Sequence, residues 1–398
     1  MPCRLILYTG KGGVGKTSVA AATARRASAA GARTLVVSTD PAHSLADVLD
    51  TPLDSSLPVA LSDRLSAQQI TAQDELERNW AAVQEWAGEI LIERGVDLIA
   101  AEELTVPPGA DELFALLAIK QHYESGDYDV VVVDCAPTGE TLRLLSFPDV
   151  ARWWLQKIFP QQSRILDAAR PFARAVLDVQ LPGERVLDEV QVLVRNMVAM
   201  HEILRDREQV SVRLVMTPDR MVIDEARRTF TYLNLYGFLT DAVVVNRVFP
   251  DDVGAYFDGW RATQAEAIAE VDAAFAPVPT LRAPYFPREV RGGEMLDALG
   301  DALFASGDAA AVLHSSFTQG LVVGSGGASL RLALPFADKG DLRLKRVGDE
   351  LVVRVGSHKR TMLLPPALAG YRPSGAKFED QALVITFDAP LAAVANDA

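Results

Sequence analysis

A glycine-rich stretch near the start of the chain limits more than any other feature what this sequence can fold into. Residues 10–18 read Gly-Lys-Gly-Gly-Val-Gly-Lys-Thr-Ser, between an apolar segment (5–9) and an alanine-rich segment (18–30). A turn of this kind between a strand and a helix is typical of a phosphate-binding loop, whose backbone N–H groups converge on phosphate oxygens. The sequence therefore predicts a nucleoside triphosphate site. The residues predicted to bind the nucleotide are Gly10, Gly12, Gly13, Val14, Gly15, Lys16, Thr17 and Ser18.

Three side chains of this loop have distinct predicted roles. Lys16 would contact the β- and γ-phosphates, and Thr17 would offer its hydroxyl to Mg²⁺. The loop does not need Lys11 for its own nucleotide, so this second lysine is free to reach a phosphate held by another subunit, as an arginine finger does. This interpretation predicts a homodimer that sandwiches two nucleotides. The alternative is that Lys11 is a solvated charge that only raises the local positive potential.

Short apolar runs alternate with helical patterns through the first three quarters of the chain. This alternation predicts the α/β class, with a doubly wound, mostly parallel sheet. Runs rich in Val, Ile or Leu are typical of strands that are buried on both faces. Helical insertions are predicted at about 66–123 and 147–209. The predicted strands are 5–9, 34–39, 128–134, 210–216, 242–247 and 279–283.

The sequence changes character after residue 313. Residues 314–328 are rich in glycine, a composition typical of a flexible linker. Apolar residues then alternate with polar ones from 329 to 389, which predicts a small all-β sandwich of about six short strands. The predicted domain organisation is a nucleotide-binding domain over 1–313, the linker, the β domain and a tail over 390–398.

Charge and cysteine content exclude several kinds of function. The chain has 39 basic and 53 acidic residues, a net charge of −14, whereas non-specific nucleic-acid binding needs a basic surface. Its two cysteines, Cys3 and Cys135, are too few for a disulfide framework or a thiolate-rich metal site. No apolar run approaches the ~20 residues of a membrane span. We therefore expect a cytoplasmic protein with no nucleic-acid partner.

Two carboxylates follow predicted strands. Asp40 comes after the second strand, at the edge where doubly wound sheets bind ligands, and could orient or deprotonate an attacking water. The alternative for Asp40 is the N-cap of the next helix. Asp134 ends the third strand after a run of valines, the Walker B arrangement, and would support Mg²⁺. The turn that follows Asp134 could sense the γ-phosphate, as GTPase switch loops do.

Three motifs together resemble the ArsA family, which comprises arsenite-pump ATPases and the targeting ATPases of tail-anchored membrane proteins. They are Gly-Lys-Gly-Gly-Val-Gly-Lys-Thr, Thr-Asp-Pro-Ala-His-Ser-Leu-Ala-Asp and Asp-Cys-Ala-Pro-Thr-Gly-Glu-Thr-Leu-Arg-Leu-Leu, in that order along the chain. The resemblance covers the nucleotide-binding domain. It implies a P-loop ATP hydrolase that uses ATP and Mg²⁺.

The resemblance also implies roles for individual residues. The catalytic residues would be Lys11 acting in trans, Lys16, and Asp40 acting on the water. The Mg²⁺ site would use Thr17 and Asp134. The adenine would lie against Asn246 and the loop Pro284, Tyr285 and Phe286, and Asp219 would approach the nucleotide across the dimer.

Two further comparisons refine this interpretation. The chain has no Cys-x-x-Cys, which eukaryotic targeting members use to clamp their dimer through zinc, and arsenite prefers several thiolates that two cysteines do not supply. The C-terminal domain resembles the α-crystallin domain of small heat-shock proteins, in segments 349–356, 359–365 and 375–385. The alternative for that domain is an unrelated β-sandwich used for packing.

Two apolar features could bind a partner. One is a stripe at helical spacing, made of Val186, Val190, Leu193, Met197, Met200 and Leu204. The other is a cluster, made of Trp153, Trp154, Leu155, Ile158 and Phe159. The resemblance implies that this region forms a groove for an apolar client helix, as in family members that target membrane proteins. The alternative, which we favour for the stripe, is ordinary helix-bundle core.

The leading functional prediction is a homodimeric ATPase whose nucleotide state opens and closes a hydrophobic surface. It would act as a chaperone or membrane-protein targeting factor, with a hydrophobic client protein or transmembrane segment and a transient membrane partner. The alternative is the ATPase motor of an anion efflux pump of the arsenite type. Positioning ATPases and iron–sulfur reductases share the two-lysine loop, but the former would show a basic DNA-binding face or a C-terminal amphipathic helix and the latter need cluster cysteines.

Overall fold

The computed structural model describes most of the chain outside two long segments. The described residues are 2–40, 44–71, 110–135, 184–316, 319–324, 327–347, 350–363 and 371–388, with the single positions 85, 88, 92 and 368. The strands of the first domain are β1 (Arg4–Thr9), β2 (Thr34–Ser38), β3 (Val59–Ser62), β4 (Leu65–Gln69), β5 (Val130–Asp134), β6 (Val210–Met216), β7 (Thr240–Val248) and β8 (Thr280–Pro284). Its helices are α1 (Lys16–Ala29), α2 (Ser44–Leu49), α3 (Ala110–Glu124), α4 (Glu184–Leu204), α5 (Arg220–Tyr236), α6 (Asp258–Phe275) and α7 (Gly292–Phe304).

These eight strands form one sheet in the order β3-β4-β2-β5-β1-β6-β7-β8. All neighbours are parallel except β3 and β4. Every residue of β1, β2, β5 and β6 is buried, as expected for strands covered on both faces. The predicted doubly wound, mostly parallel sheet is confirmed, and each of the six predicted strands is present within about two residues.

Strands β3 and β4 were not predicted, and residues 66–69 were wrongly assigned to a helical insertion. Strand β4 runs parallel to β2 and joins its edge. Its sequence, Leu-Ser-Ala-Gln-Gln, has no β-branched residue, so only the pairing with β2 makes it a strand. Helix α3 lies in the predicted insertion, and residues 85, 88 and 92 are also helical. The rest of 72–109 lies outside the described residues.

The apolar stripe lies on helix α4, where core packing accounts for it. Five of its six residues are buried, and α4 packs against α3 and β6. The buried ones are Val186, Leu193, Met197, Met200 and Leu204. The interpretation of the stripe as core is therefore confirmed. The tryptophan cluster lies outside the described residues.

The C-terminal domain consists of antiparallel sheets, which confirms the predicted all-β class. Its strands are β9 (Gln319–Gly324), β10 (Gly327–Ala333), β11 (Leu342–Val347), β12 (Glu350–Val355), β13 (His358–Leu363), β14 (Arg372–Glu379) and β15 (Ala382–Asp388). One sheet has the order β14-β15-β10-β9 and the other β11-β12-β13. Leu332, Leu351, Val353, Ile385 and Phe387 are among the residues of the core of this domain.

The glycine-rich segment differs from the predicted linker. Residues 319–324 form strand β9, which pairs antiparallel with β10. Leu-Val-Val at its centre favours a strand, and pairing with β10 holds the flanking glycines extended. The flexible-linker prediction is therefore wrong for residues 319–324, and also for 327 and 328, which begin β10.

A buried ionic network fixes the chain where it leaves the first domain. Arg4 of β1, Arg213 of β6 and Asp241 of β7 come from three neighbouring strands, and all three side chains are buried. The Asp241 carboxylate lies 3.2 Å from each of the two guanidinium groups. The two guanidinium groups donate to the carbonyl groups of 309–311 at 2.8–2.9 Å. The Leu313 N–H donates to Asp241 at 3.2 Å. The segment leading to the C-terminal domain is therefore bound to the sheet.

Helix α5 connects the two domains. Its Leu235 is fully buried in the apolar core of the C-terminal domain. The Tyr232 ring lies 3.8 Å, between centroids, from that of His358, and the Tyr236 hydroxyl donates to the Lys359 carbonyl at 3.4 Å. Arg360 also donates to the Leu235 carbonyl. These contacts make α5 part of both domains.

Candidate nucleotide site

The backbone of the glycine-rich loop is shaped by close approaches that leave no room for side chains. A Cβ on Gly10 would lie 2.1 Å from the Val215 carbonyl oxygen at the end of β6. Gly15, directly before α1, has a φ of 93°, which is in the left-handed region that favours glycine. Around Gly12 and Gly13 nothing lies within 4 Å of an added Cβ. The loop is thus packed at both ends and open in the middle, in front of the α1 N-terminus, where an anion is stabilised.

Lys16 points back over this loop. Its side chain is largely buried, with 5% of the residue exposed, and its ammonium group lies 3.4 Å from the Lys11 carbonyl oxygen, to which it donates. The charge of Lys16 also lowers the pKa of the neighbouring Asp134. A buried ammonium group at the start of the helix is suited to binding phosphate oxygens.

Asp134 and Thr17 meet at the carboxyl edge of the sheet. Burial raises the pKa of Asp134 to about 6, against the opposing effects of the Thr17 hydroxyl, the Lys16 charge and the Ser38 hydroxyl. Ser38 donates to Asp134 Oδ2 at 3.1 Å, and Thr17 Oγ1 lies 3.1 Å from Ser44 Oγ. Asp134 Oδ1 is buried and has no hydrogen-bond partner within the described part of the chain.

These oxygens fit a magnesium ion. Mg²⁺ prefers hard oxygen ligands and usually combines one or two protein ligands with substrate phosphates and water. The Thr17 hydroxyl and the unsatisfied Asp134 oxygen provide such a set. Within the described ranges no group of three His, Cys, Asp or Glu residues is placed to hold a metal ion.

Asp40 lies two residues beyond the end of β2, beside this carboxylate. Its backbone N–H donates to Ser38 Oγ at 3.3 Å, the same hydroxyl that binds Asp134. The charge of Asp40 raises the pKa of Asp134, which indicates that the two carboxylates are close. The described part of helix α2 begins at Ser44, and residues 41–43 between it and Asp40 lie outside the described residues. The water-orienting role of Asp40 and the alternative role as a helix N-cap both stay predictions.

Lys11 forms an ion pair in its own chain. Its ammonium group lies 3.7 Å from the Glu225 carboxylate on α5, and its side chain is 37% exposed. Lys11 is thus neither fully solvated nor directed into its own loop. Its action in trans stays a prediction.

Asn246 lies directly beneath the loop. Its side-chain amide donates to the Val14 carbonyl at 2.9 Å and accepts from the Arg247 N–H at 2.9 Å, with only 8% of the residue exposed. A Cβ on Gly15 would approach its Nδ2 to 2.4 Å. Asn246 therefore supports the loop from the end of β7, and its predicted contact with adenine stays a prediction.

The other predicted adenine residues lie next to an aromatic group that the sequence interpretation missed. The N–H of Tyr285 donates to the Val248 carbonyl at 2.7 Å, which joins the Pro284–Phe286 loop to the end of β7. The Tyr285 ring is stacked on Phe249, with 5.7 Å between the centroids, and Tyr285 is 52% exposed. Phe257 lies 5.3 Å from Phe249. An exposed aromatic surface therefore flanks the loop where a base is predicted.

Four further residues bear on the site: Asp219, which was predicted to approach the nucleotide, and Ser38, Ser44 and Glu225, which were not predicted. Asp219 precedes α5, is exposed, and accepts from Thr217 at 2.6 Å, so its role across a dimer stays a prediction. The turn after Cys135 and residues 41–43 lie outside the described residues. Ser38, Ser44 and Glu225 were not predicted as site residues. Only the position of Ser38 at the end of a predicted strand could have indicated it.

No helix within the described ranges is long and apolar enough to cross a membrane.

Comparisons with known proteins agree with the motifs. The family model described as anion-transporting ATPase matches residues 3–305, and the model described as an HSP20-like domain found in ArsA matches 325–387. A putative arsenical pump-driving ATPase 1 of Aquifex aeolicus is 34% identical over 392 residues, which cover 96% of this chain and 99% of the relative. A putative arsenical pump-driving ATPase of Chlorobaculum tepidum is 36% identical, with 97% of this chain and 96% of the relative covered. The ATPase GET3B of Arabidopsis thaliana is 32% identical, with 74% and 77% covered.

Proposed function

The chain belongs to the ArsA family of anion-transporting ATPases, and on this basis we propose that it is a homodimeric ATPase whose nucleotide state opens and closes a hydrophobic client-binding surface. It would act in the cytoplasm as a chaperone or membrane-protein targeting factor. One observation carries the proposal: of the two lysines in the phosphate loop, Lys16 lies over its own loop and Lys11 points away from it.

The proposed reaction uses the residues at the carboxyl edge of the sheet. The loop N–H groups and Lys16 would bind the phosphates of ATP, and Thr17 and Asp134 would hold the ion. Bound Mg²⁺ would neutralise charge on the β- and γ-phosphate oxygens. Asp40, which reaches Asp134 through Ser38, would orient the attacking water. Phosphoryl transfer needs mainly positioning and charge stabilisation, which this set supplies.

The proposed dimer gives Lys11 its function. A lysine at the loop mouth that pairs with a partly exposed carboxylate can exchange that partner for a phosphate of higher charge. In a dimer with facing loops, each Lys11 would stabilise the γ-phosphate bound by the partner subunit. Hydrolysis would then depend on assembly, as in GTPases completed by an arginine finger.

The proposed client surface cannot be the stripe on α4, because that stripe is buried. We therefore propose that clients bind to the tryptophan-containing segment, 153–159. Its support is the sequence, in which two adjacent tryptophans have few polar neighbours, and the resemblance to targeting ATPases. The HSP20-like domain packs on the C-terminal end of α5, the helix whose Glu225 contacts Lys11 of the phosphate loop.

A second candidate, the motor of an arsenite-type pump, is supported by the names of the relatives. The cysteines count against it. Cys3 precedes β1 and Cys135 follows β5, and these strands are parallel neighbours in register, so the two cysteines lie at opposite ends of the strands, about 20 Å apart. Both are buried, which raises the pKa of Cys3 to about 11 and that of Cys135 as well. Two buried thiols this far apart cannot share one arsenic atom.

The test uses purified protein and a synthetic client. An Asp40→Asn variant, which we expect to bind ATP without hydrolysing it, is titrated with a fluorescent 20-residue apolar helix in detergent, with ATP or ADP. Nucleotide-dependent binding that disappears in Trp153→Ala/Trp154→Ala supports the chaperone function. Equal binding in both nucleotides, combined with ATPase stimulation by arsenite, would favour the pump motor instead.

A further inference from the structure

Glu225 lies beside Lys11, on the side of the phosphate loop from which the Lys11 side chain projects. It lies in the second turn of α5, which follows β6, the strand next to β1. Its Oε2 is 3.7 Å from Lys11 Nζ, and the two side chains are 26% and 37% exposed. Residues more than 200 positions apart in sequence thus form an ion pair at the open side of the loop.

The two loop lysines are held in different ways. Lys16 is buried and donates to a backbone carbonyl of the loop itself. The ion pair of Lys11 is half exposed and made with a side chain on another element. Half-exposed ion pairs contribute little to stability. Such a contact can therefore direct Lys11 without preventing it from moving to a triphosphate.

Glu225 itself stands on an anchored helix. Ten residues further along α5, Leu235 is buried in the core of the C-terminal domain, and Tyr236 and Tyr232 contact β13. Since α5 is a continuous helix from Arg220 to Tyr236, the carboxylate of Glu225 has a fixed place relative to the phosphate loop.

We propose that Glu225 is a positioning residue, which holds Lys11 within its own protomer until the nucleotide of a partner subunit competes for it. This inference rests on the proposed action of Lys11 in trans. A separate protomer keeps the lysine on Glu225, and formation of the dimer exchanges this pair for a lysine–phosphate contact. Each dimer requires two such exchanges, so the pair raises the protein concentration at which the ATP-bound dimer forms.

The experiment compares dimerisation of the full chain and its Glu225→Gln variant. Sedimentation equilibrium with Mg²⁺ and a non-hydrolysable ATP analogue gives the concentration of half dimerisation. We expect this concentration to fall about fivefold in Glu225→Gln, since two weak pairs no longer need to be broken. The hydrolysis rate per subunit at saturating protein should stay unchanged, because Glu225 is not placed at the phosphates.

Asp224→Asn is the matched control. It removes the same charge from the same turn of α5, but Asp224 pairs with Arg227, at 3.6 Å, and not with Lys11. We expect it to dimerise like the unmodified chain. Equal shifts in the two variants would reveal a general charge effect and overturn the role of Glu225.

A third variant separates this inference from the proposed function. If Lys11→Ala loses ATP-dependent dimerisation while Glu225→Gln behaves like the unmodified chain, the positioning role is wrong and the action in trans stands. If Lys11→Ala dimerises and hydrolyses normally, the action in trans fails, and the positioning role fails with it.

Discussion

The carboxyl edge of the eight-stranded sheet and the interior of the C-terminal domain are both built on apolar strands, yet polar side chains collect only at the first. Because β2, β5 and β1 are parallel, the residues at their ends, Ser38, Asp134 and the glycine-rich loop, meet at one edge. In the antiparallel C-terminal sheets successive strands end on opposite sides, and the core is apolar. Strand direction, more than composition, therefore creates the site.

The comparison implies that substitutions at the sheet edge should affect chemistry, and substitutions in the C-terminal core should affect stability. The largest effect should come from Lys11→Ala. If Lys11 stabilises a partner's γ-phosphate, its loss should lower kcat by about 10³-fold, as for arginine fingers. Thermal unfolding should not change, since the pair with Glu225 is half exposed. Steady-state ATPase assays and calorimetry measure both.

Asp40→Asn should follow, with a decrease in kcat of about 10²- to 10³-fold because the water is no longer oriented by a carboxylate. Equilibrium binding of ATP should stay within about twofold, since Asp40 is not placed at the phosphates. Asp47→Asn, an exposed carboxylate on the neighbouring helix α2, is the control and should hydrolyse normally. A normal rate in Asp40→Asn would remove our assignment of that carboxylate.

Mixing the two inactive variants tests whether Lys11 acts on its own nucleotide or on that of the partner subunit. In a heterodimer, the site that keeps Asp40 receives Lys11 from the other subunit, so about a quarter of all sites should regain activity if Lys11 acts in trans. Unrestored hydrolysis in the mixture would show that Lys11 acts within its own protomer.

Leu235 of α5 is fully buried in the core of the C-terminal domain. Leu235→Ala should therefore lower the free energy of unfolding by about 2 to 5 kcal/mol. ATP binding should be retained by the folded protein. Met221→Ala, an exposed position on the same helix, is the control and should be neutral. Denaturant titration measures the difference. If Leu235→Ala weakened ATP binding as much as a substitution at the sheet edge does, the two regions would not have separate roles in chemistry and stability.

Asn246→Ala should have the smallest effect, which falls first on the phosphate loop and, through the loop, on ATP binding. It leaves the Val14 carbonyl and the Arg247 N–H without their partner, so the loop is less well fixed. We expect ATP to bind about tenfold more weakly, equivalent to one lost buried hydrogen bond. Calorimetric titration tests this, and an unchanged Kd would mean that Asn246 supports neither the loop nor the base.

The sequence predicted the sheet and the loop well because both depend on local patterns. Valine runs indicated β5 and β7, and the spacing of glycines and lysines indicated the loop. Strand β4, Leu65–Gln69, was missed because it becomes a strand only by pairing with β2. Strand β3 was missed with it, since β3 pairs with β4. In the glycine-rich segment, pairing with β10 outweighed a composition typical of linkers.

The contacts that arrange the site were harder to predict. The pair of Lys11 with Glu225, the support of the loop by Asn246 and the stacking of Tyr285 on Phe249 all join distant segments. No repeat or short-range spacing records such pairs. They follow only from the order of the strands and from which helix follows which strand.

The burial of Leu235 has a consequence for attempts to divide the protein. A shortened chain ending near residue 316 would leave this leucine, with Tyr232, on an uncovered apolar surface of a helix that also carries Glu225. Such a fragment would be prone to self-association, and its oligomers would be mistaken for the ATP-dependent dimer. Biochemical work on either half therefore requires the intact polypeptide or a resurfaced α5.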